Sequence, residues 1–286
     1  MTGALEPLAI RATGAAADAI GRNVPQLVTD RFASRLFAKD ASLWGEAAQA
    51  EASNRLGWTG LHRSSRPLLG EIAALREELR DEGADHVVLC GMGGSSLAPE
   101  VICASAGVEL TVLDSSDPSQ VAAAVADRLD RTVVVVSSKS GSTVETDSQR
   151  RAYVDAFTRA GLDPTRRIVI VTDPGSPLDE QSRADGYRVV NADPEVGGRY
   201  SAMTAFGLVP SGLAGADIEG LLDERSRRRG QRRPRKTHLR LGLCILAPQR
   251  RVLARDPGRD PLLDGAVQCL LELAFTGNGE VDLEGR

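Results

Sequence analysis

Five short, almost continuously apolar runs, at residues 87–90, 110–113, 132–136, 168–171 and 187–190, are separated by Gly, Ser, Asp and Pro turns and by helical stretches. A strand that is apolar on both faces needs cover on both faces, and the segments between the runs are long enough for crossover helices. The pattern therefore predicts an α/β fold built on a doubly wound parallel sheet. In such a sheet ligands bind beyond the carboxyl ends of the strands, so chemistry is to be sought in the loops that follow each run.

Upstream of the first run, residues 1–80 read as a helical N-terminal segment. Ala-rich stretches at 14–20 and 43–52 lead to 67–79, where Leu68, Ile72, Leu75 and Leu79 recur at helical spacing. From about 216 to 286 the alternation stops, leaving an irregular tail. It opens on a cationic block, Arg225 to Lys236, that contains Arg227, Arg228, Arg229, Arg232, Arg233 and Arg235 and no acid, and one helix is expected at 262–275. So abrupt a change of character is what a shift of reading frame produces, which sequencing of the encoding DNA tests.

Composition excludes several classes. The formal net charge of −4 argues against general affinity for nucleic acid or for an anionic membrane, and the basic block lacks the interleaved aromatics of a nucleic-acid arm. There is no signal-like start, and no apolar run approaches the roughly 20 residues that cross a bilayer, so a cytoplasmic location is expected. The four cysteines, Cys90, Cys103, Cys244 and Cys269, form no C-x-x-C pair and read as buried free thiols rather than metal ligands or disulfides. His62 reads as an ordinary surface residue, and His86, opening the first strand, as structural.

Two loops carry the chemistry. Gly91-Met92-Gly93-Gly94-Ser95-Ser96 follows the first strand and leads into a helix near Leu97. Glycines let the backbone approach an anion closely, and the helix N-terminus adds donors and a favourable dipole. A dinucleotide site is the competing reading, with Asp114 at the end of the second strand as the ribose acid; the missing third glycine counts against it. The second loop, Ser137-Ser138-Lys139-Ser140-Gly141-Ser142-Thr143-Val144-Glu145-Thr146, lies at the end of the third strand. Its hydroxyls, glycine and lysine suit a phosphate monoester held by short O–H contacts, backbone N–H groups and one point charge. Helix capping by Thr143 is the bland alternative, and it accounts for one hydroxyl only.

These two loops, followed by Val196-Gly197-Gly198-Arg199-Tyr200-Ser201, resemble three ordered signatures of the glucose-6-phosphate isomerase family, with close similarity over about 85–215. The resemblance implies a flavodoxin-like sugar isomerase (SIS) domain over 81–215. It implies reversible aldose–ketose isomerisation of glucose 6-phosphate to fructose 6-phosphate in glycolysis and gluconeogenesis, with no cofactor and no metal. By motif position, Ser95, Ser138, Lys139, Ser140 and Thr143 would hold the sugar phosphate. Gly94 and Gly198 would approach the sugar, Arg199 would stabilise the enediol oxyanion, and Glu145 would hold loop geometry. The family also implies a homodimer, and a second domain that carries the catalytic base and has no recognisable match here. A non-catalytic phosphosugar-binding protein is thus the alternative function, ahead of an NAD-dependent dehydrogenase.

Overall fold

The structure, a computed structural model, describes residues 12–230. The helix expected at 262–275, the block beyond 230, Cys244 and Cys269 lie outside the described residues. Contacts separate residues Asn54–Leu222 as one unit from the segments on either side. Residues 12–53 contain the helices Ala15–Thr29, Phe32–Phe37 and Glu46–Ser53, so the helical reading of this segment holds in type. Residues 225–229 of the basic block lie in the helix Ile218–Gly230.

Within 54–222 every apolar run becomes a strand: β1 (His86–Gly91), β2 (Thr111–Leu113), β3 (Thr132–Ser137), β4 (Ile168–Thr172) and β5 (Arg188–Asn191). All pair in parallel, in the order β2-β1-β3-β4-β5. This is the flavodoxin-like winding, which reverses direction between β1 and β3. The helices used below are α1 (Pro67–Asp81), α2 (Leu97–Ala106), α3 (Pro118–Ala126), α4 (Val144–Arg159), α5 (Pro177–Ala184) and α6 (Ala205–Ala214).

Period-2 alternation divides the strand residues between two cores. On one face Val88, Cys90, Val134, Val136, Ile168 and Ile170 pack with Tyr153 and Phe157, which lie four residues apart on α4 and so share one stripe of it. Both aromatics are fully buried, and truncating Phe157 to Ala should cost about 3–5 kcal/mol. On the other side α6 packs on β1, β3 and β4 and against α1 and α2. Residues Ala205 to Leu213 of that helix are all buried, as an apolar helix with no polar face must be. α1 buries Ile72, Leu75 and Leu79, three of the four positions its periodicity singled out.

His86 opens β1 as expected. Its ring is clasped by the hydroxyls of Thr132 and Thr111, each at 2.9 Å. Burial, and after it the Arg128 charge, lowers its pKa, favouring the neutral ring. His62 departs from the surface reading. It lies in the short helix Leu61–Ser64, which turns both Leu61 and His62 inward, and its Nε2 accepts a hydrogen bond from Arg63 Nε at 3.2 Å. Cys90 and Cys103 are buried free thiols. Burial raises the pKa of both, that of Cys103 to about 11, which keeps them protonated and unreactive.

Candidate functional site

The reversal of winding leaves the ends of β1 and β3 side by side with their following chains departing to opposite faces, which opens a crevice at the carboxyl edge. A cleft of about 490 Å³ lies there, lined by Met92, Gly94 and Ser95 from the first loop and by Ser137, Ser138, Lys139, Ser140 and Thr143 from the second. It adjoins a second hollow of about 400 Å³ lined by Gly197, Gly198, Arg199 and Tyr200. Gly94, Gly198, Lys139 and Arg55 line both. Tertiary structure thus brings three separated sequence motifs to one opening.

The first loop turns through Gly93, whose φ of +57° lies in the left-handed region, into a 3-10 turn at Gly93–Ser95 and then α2. Gly94 is constrained by contact. A Cβ there would stand 2.6 Å from the carbonyl oxygen of Gly198, so two backbones meet with no room for a methyl. The Ser201 hydroxyl secures the junction by donating to the Gly198 carbonyl at 2.7 Å, with a longer contact to the Gly94 carbonyl at 3.4 Å. On its outer side the Arg199 turn is braced by Tyr200, whose ring stacks on Trp58 at 5.5 Å between centroids.

The hydroxyl loop has the more telling geometry. Ser138 continues the ladder, its N–H donating to the Val171 carbonyl at 3.0 Å, so the loop leaves β3 in fixed register. Gly141 takes a φ of +71° and packs against Leu178 at the start of α5, where a Cβ would fall 2.7 Å from the Leu178 Cβ. Thr143 occupies the N-cap position of α4 in extended conformation, yet its side chain makes no capping bond. Its hydroxyl instead accepts from Ser138 at 3.2 Å. The capping alternative therefore fails for Thr143, and the first N–H groups of α4 keep their capacity for an anion. Ser140 and Ser142 bond each other at 3.0 Å. Ser137 Oγ is buried, lines the cleft and has no hydrogen-bond partner among the described residues. A buried polar atom so placed is costly unless a ligand or water completes it.

Lys139 lines the cleft, but its ammonium is already bonded to Asp173, Nζ to Oδ2, at 2.6 Å. Asp173 follows β4 and lines the same cleft. Sequence reasoning passed over it because Thr-Asp-Pro-Gly reads as a turn; its place directly after a parallel strand, at the ligand edge, was the available signal. Arg55, lying just before the 3-10 turn Gly57–Gly60, was also missed and has no local signal at all. Arg199 is exposed in the adjoining hollow, while Glu145 stands half-buried in the first turn of α4 and does not line the cleft. Asp114, weighed for a ribose, is exposed after β2 and lines neither hollow.

A five-stranded parallel sheet wound in this order, with a hydroxyl-rich cleft at its switch point, defines the class: a doubly wound α/β domain of the sugar isomerase type. Residues 80–220 match the family model for phosphoglucose isomerase. The chain is 33% identical over 212 residues to a glucose-6-phosphate isomerase of Thermus thermophilus, a match covering 72% of this chain and 48% of that relative. It is 38% identical over 144 residues to the glucose-6-phosphate isomerase of Gloeothece citriformis, covering 48% of this chain and 27% of that one. Among solved structures it is similar to a hypothetical protein from Thermus thermophilus, with a TM-score of 0.62 and 29% identity over 81% of this chain and 54% of that one. It is similar also to a glucose-6-phosphate isomerase from Chlamydia trachomatis, with a TM-score of 0.50 and 27% identity over 70% of this chain and 37% of that one. The chain thus carries, at residues 80–220, a domain that matches the phosphoglucose isomerase family. It spans about half the length of the first of these curated relatives and about a quarter of the second. Among the described residues no helix is long and apolar enough to cross a membrane.

Proposed function

We propose that the cleft holds the phosphate of a hexose 6-phosphate and that the protein takes part in the interconversion of glucose 6-phosphate and fructose 6-phosphate. The observation that carries the reading is the convergence at one switch point of the Ser138–Thr143 hydroxyl pair, the N-terminus of α4 without a side-chain cap, and the Gly94–Gly198 contact that sets Arg199 alongside. In this reading Ser95, Ser138, Ser140 and Thr143 donate to the phosphate oxygens and Lys139 contributes charge. The sugar extends toward Gly198 and Arg199.

Aldose–ketose isomerisation moves a proton between adjacent carbons through an enediolate. It needs a positioned base and a cation or donor at the developing oxyanion. Arg199 fits the second role, since a guanidinium stays charged at every working pH and presents several donors in one plane. Asp173 is the one carboxylate lining the cleft among the described residues, and it is committed to Lys139, so no base is assigned within it. That same commitment favours a second reading, a phosphosugar-binding protein without turnover.

A coupled assay of glucose 6-phosphate isomerisation on the purified chain, with Arg199→Ala beside it, tests the proposal. The expected result is turnover that falls on the order of a hundredfold or more in the variant, while affinity for inorganic phosphate changes less than about twofold. Phosphate-competed binding of fructose 6-phosphate with no turnover in either protein would establish the binding reading. Absence of both turnover and binding would dispose of the phosphosugar site.

A further inference from the structure

Asp173 is an unexpected occupant of an anion site. Its Oδ2 accepts from Lys139 Nζ at 2.6 Å, in a pair whose side chains are only 27% (Lys139) and 20% (Asp173) exposed. Its Oδ1 is buried with no hydrogen-bond partner among the described residues. The carboxylate lines the same hollow as Ser138, Ser140 and Thr143. A carboxylate beside a phosphate pocket opposes a dianionic ligand, and one whose second oxygen is buried without a donor is poorly rewarded as a purely structural group. Whatever it contributes must come through the lysine.

We propose that Asp173 sets the anion affinity of the cleft by competing with the ligand's phosphate for the Lys139 ammonium. The inference rests on the reading of this cleft as a phosphate site. One ammonium has three protons to donate, and Asp173 already takes one at short distance. A phosphate drawn to the remaining protons lies close to a like charge, in surroundings too shielded for water to screen the repulsion fully. The ligand is therefore held by hydroxyls, backbone N–H groups and a lysine of reduced effective charge, which orients it without holding it tightly. In a site that must release a product bearing the same phosphate as its substrate, such uniform binding gains nothing once the ligand is seated. Asp173 is thus a positioning and affinity-setting residue rather than a catalytic one.

The test uses the full chain, inorganic phosphate as probe, and isothermal titration calorimetry at fixed ionic strength and neutral pH. Asp173→Asn keeps the shape and removes the charge, and should bind phosphate roughly fivefold or more tightly than the parent. Asp173→Glu restores the charge and should return affinity toward the parent's value, while Lys139→Met should weaken it. A gain of affinity on substitution is a readout that structural damage does not produce. Circular dichroism melts accompany each variant, and Asp173→Ser replaces the Asn variant should that one lose its native melt. Equal or weaker phosphate binding by the folded, charge-free variant, with Lys139→Met still weaker than the parent, overturns the inference and leaves the phosphate site standing. No phosphate binding by the parent, Asp173→Asn and Asp173→Ser alike removes both.

Discussion

The two ends of one sheet handle polar groups in opposite ways. At the amino edge the groups around β1, β2 and β3 satisfy one another, although Arg167 Nη1, just before β4, is buried without a partner among the described residues. The His86 ring sits between Thr132 and Thr111, Arg128 bridges Glu109 and Asp127, and Arg131 pairs with Asp85. At the carboxyl edge Ser137 Oγ and Asp173 Oδ1 are buried without a partner among the described residues, Thr143 leaves the head of α4 without a side-chain cap, and Ser140 and Ser142 bond only each other. A polar cluster that closes on itself contributes to stability and asks for nothing further. One held open by glycine turns and strand ends retains its capacity for a ligand. On the proposed reading, the comparison gives stability to one edge and binding to the other.

The largest expected effect comes from Gly94→Ala, which drives a methyl into the Gly198 carbonyl and forces the two loops apart. On the proposed reading it should weaken phosphate binding and lower turnover on the order of a hundredfold, with the far-ultraviolet dichroism retained. A fully functional variant would mean that the meeting of these loops does not build the site. Next, Ser138→Ala removes a cleft-lining hydroxyl that donates to Thr143; on the proposed phosphate reading it should weaken phosphate binding roughly tenfold or more in calorimetry.

The amino edge should respond in the other direction, through stability alone. Because burial lowers the pKa of His86 in the folded state, the unfolded chain takes up the proton first as pH falls. The contribution of the neutral ring is fully present above about pH 6.5 and is lost as pH falls from there toward the folded pKa. His86→Gln, which can still bond a threonine hydroxyl, should flatten the dependence of melting temperature on pH below about 6.5 while phosphate affinity holds. A change in affinity there would break the division of labour between the edges. The smallest effect is expected of Arg131→Ala. Its ion pair with Asp85 has side chains 53% (Arg131) and 39% (Asp85) exposed, so the loss should be barely detectable in denaturant titration and shrink further with salt.

Much of this was legible along the chain because it is local. A run apolar on both faces specifies a strand covered on both faces, an i, i+3, i+7 pattern specifies the buried stripe of α1, and a Gly- or Ser-rich strand-to-helix turn marks a place where backbone donors can face an anion. The five strands, the helix after each loop and the two loops that meet in the cleft are all of this kind. Residues whose roles depend on their neighbours in space were misread or passed over. His62 is buried only because its short helix turns inward. Arg55 lines the cleft although nothing in its local sequence distinguishes it from a surface arginine, and the one signal for Asp173 is its place directly after β4. The sequence by itself determined which segments are strands and helices and singled out two loops that line the cleft, since period and turn residues act over a few positions. Only the tertiary structure decided that Lys139 is paired with Asp173, because charge pairing acts across space between strand ends 34 residues apart in the chain.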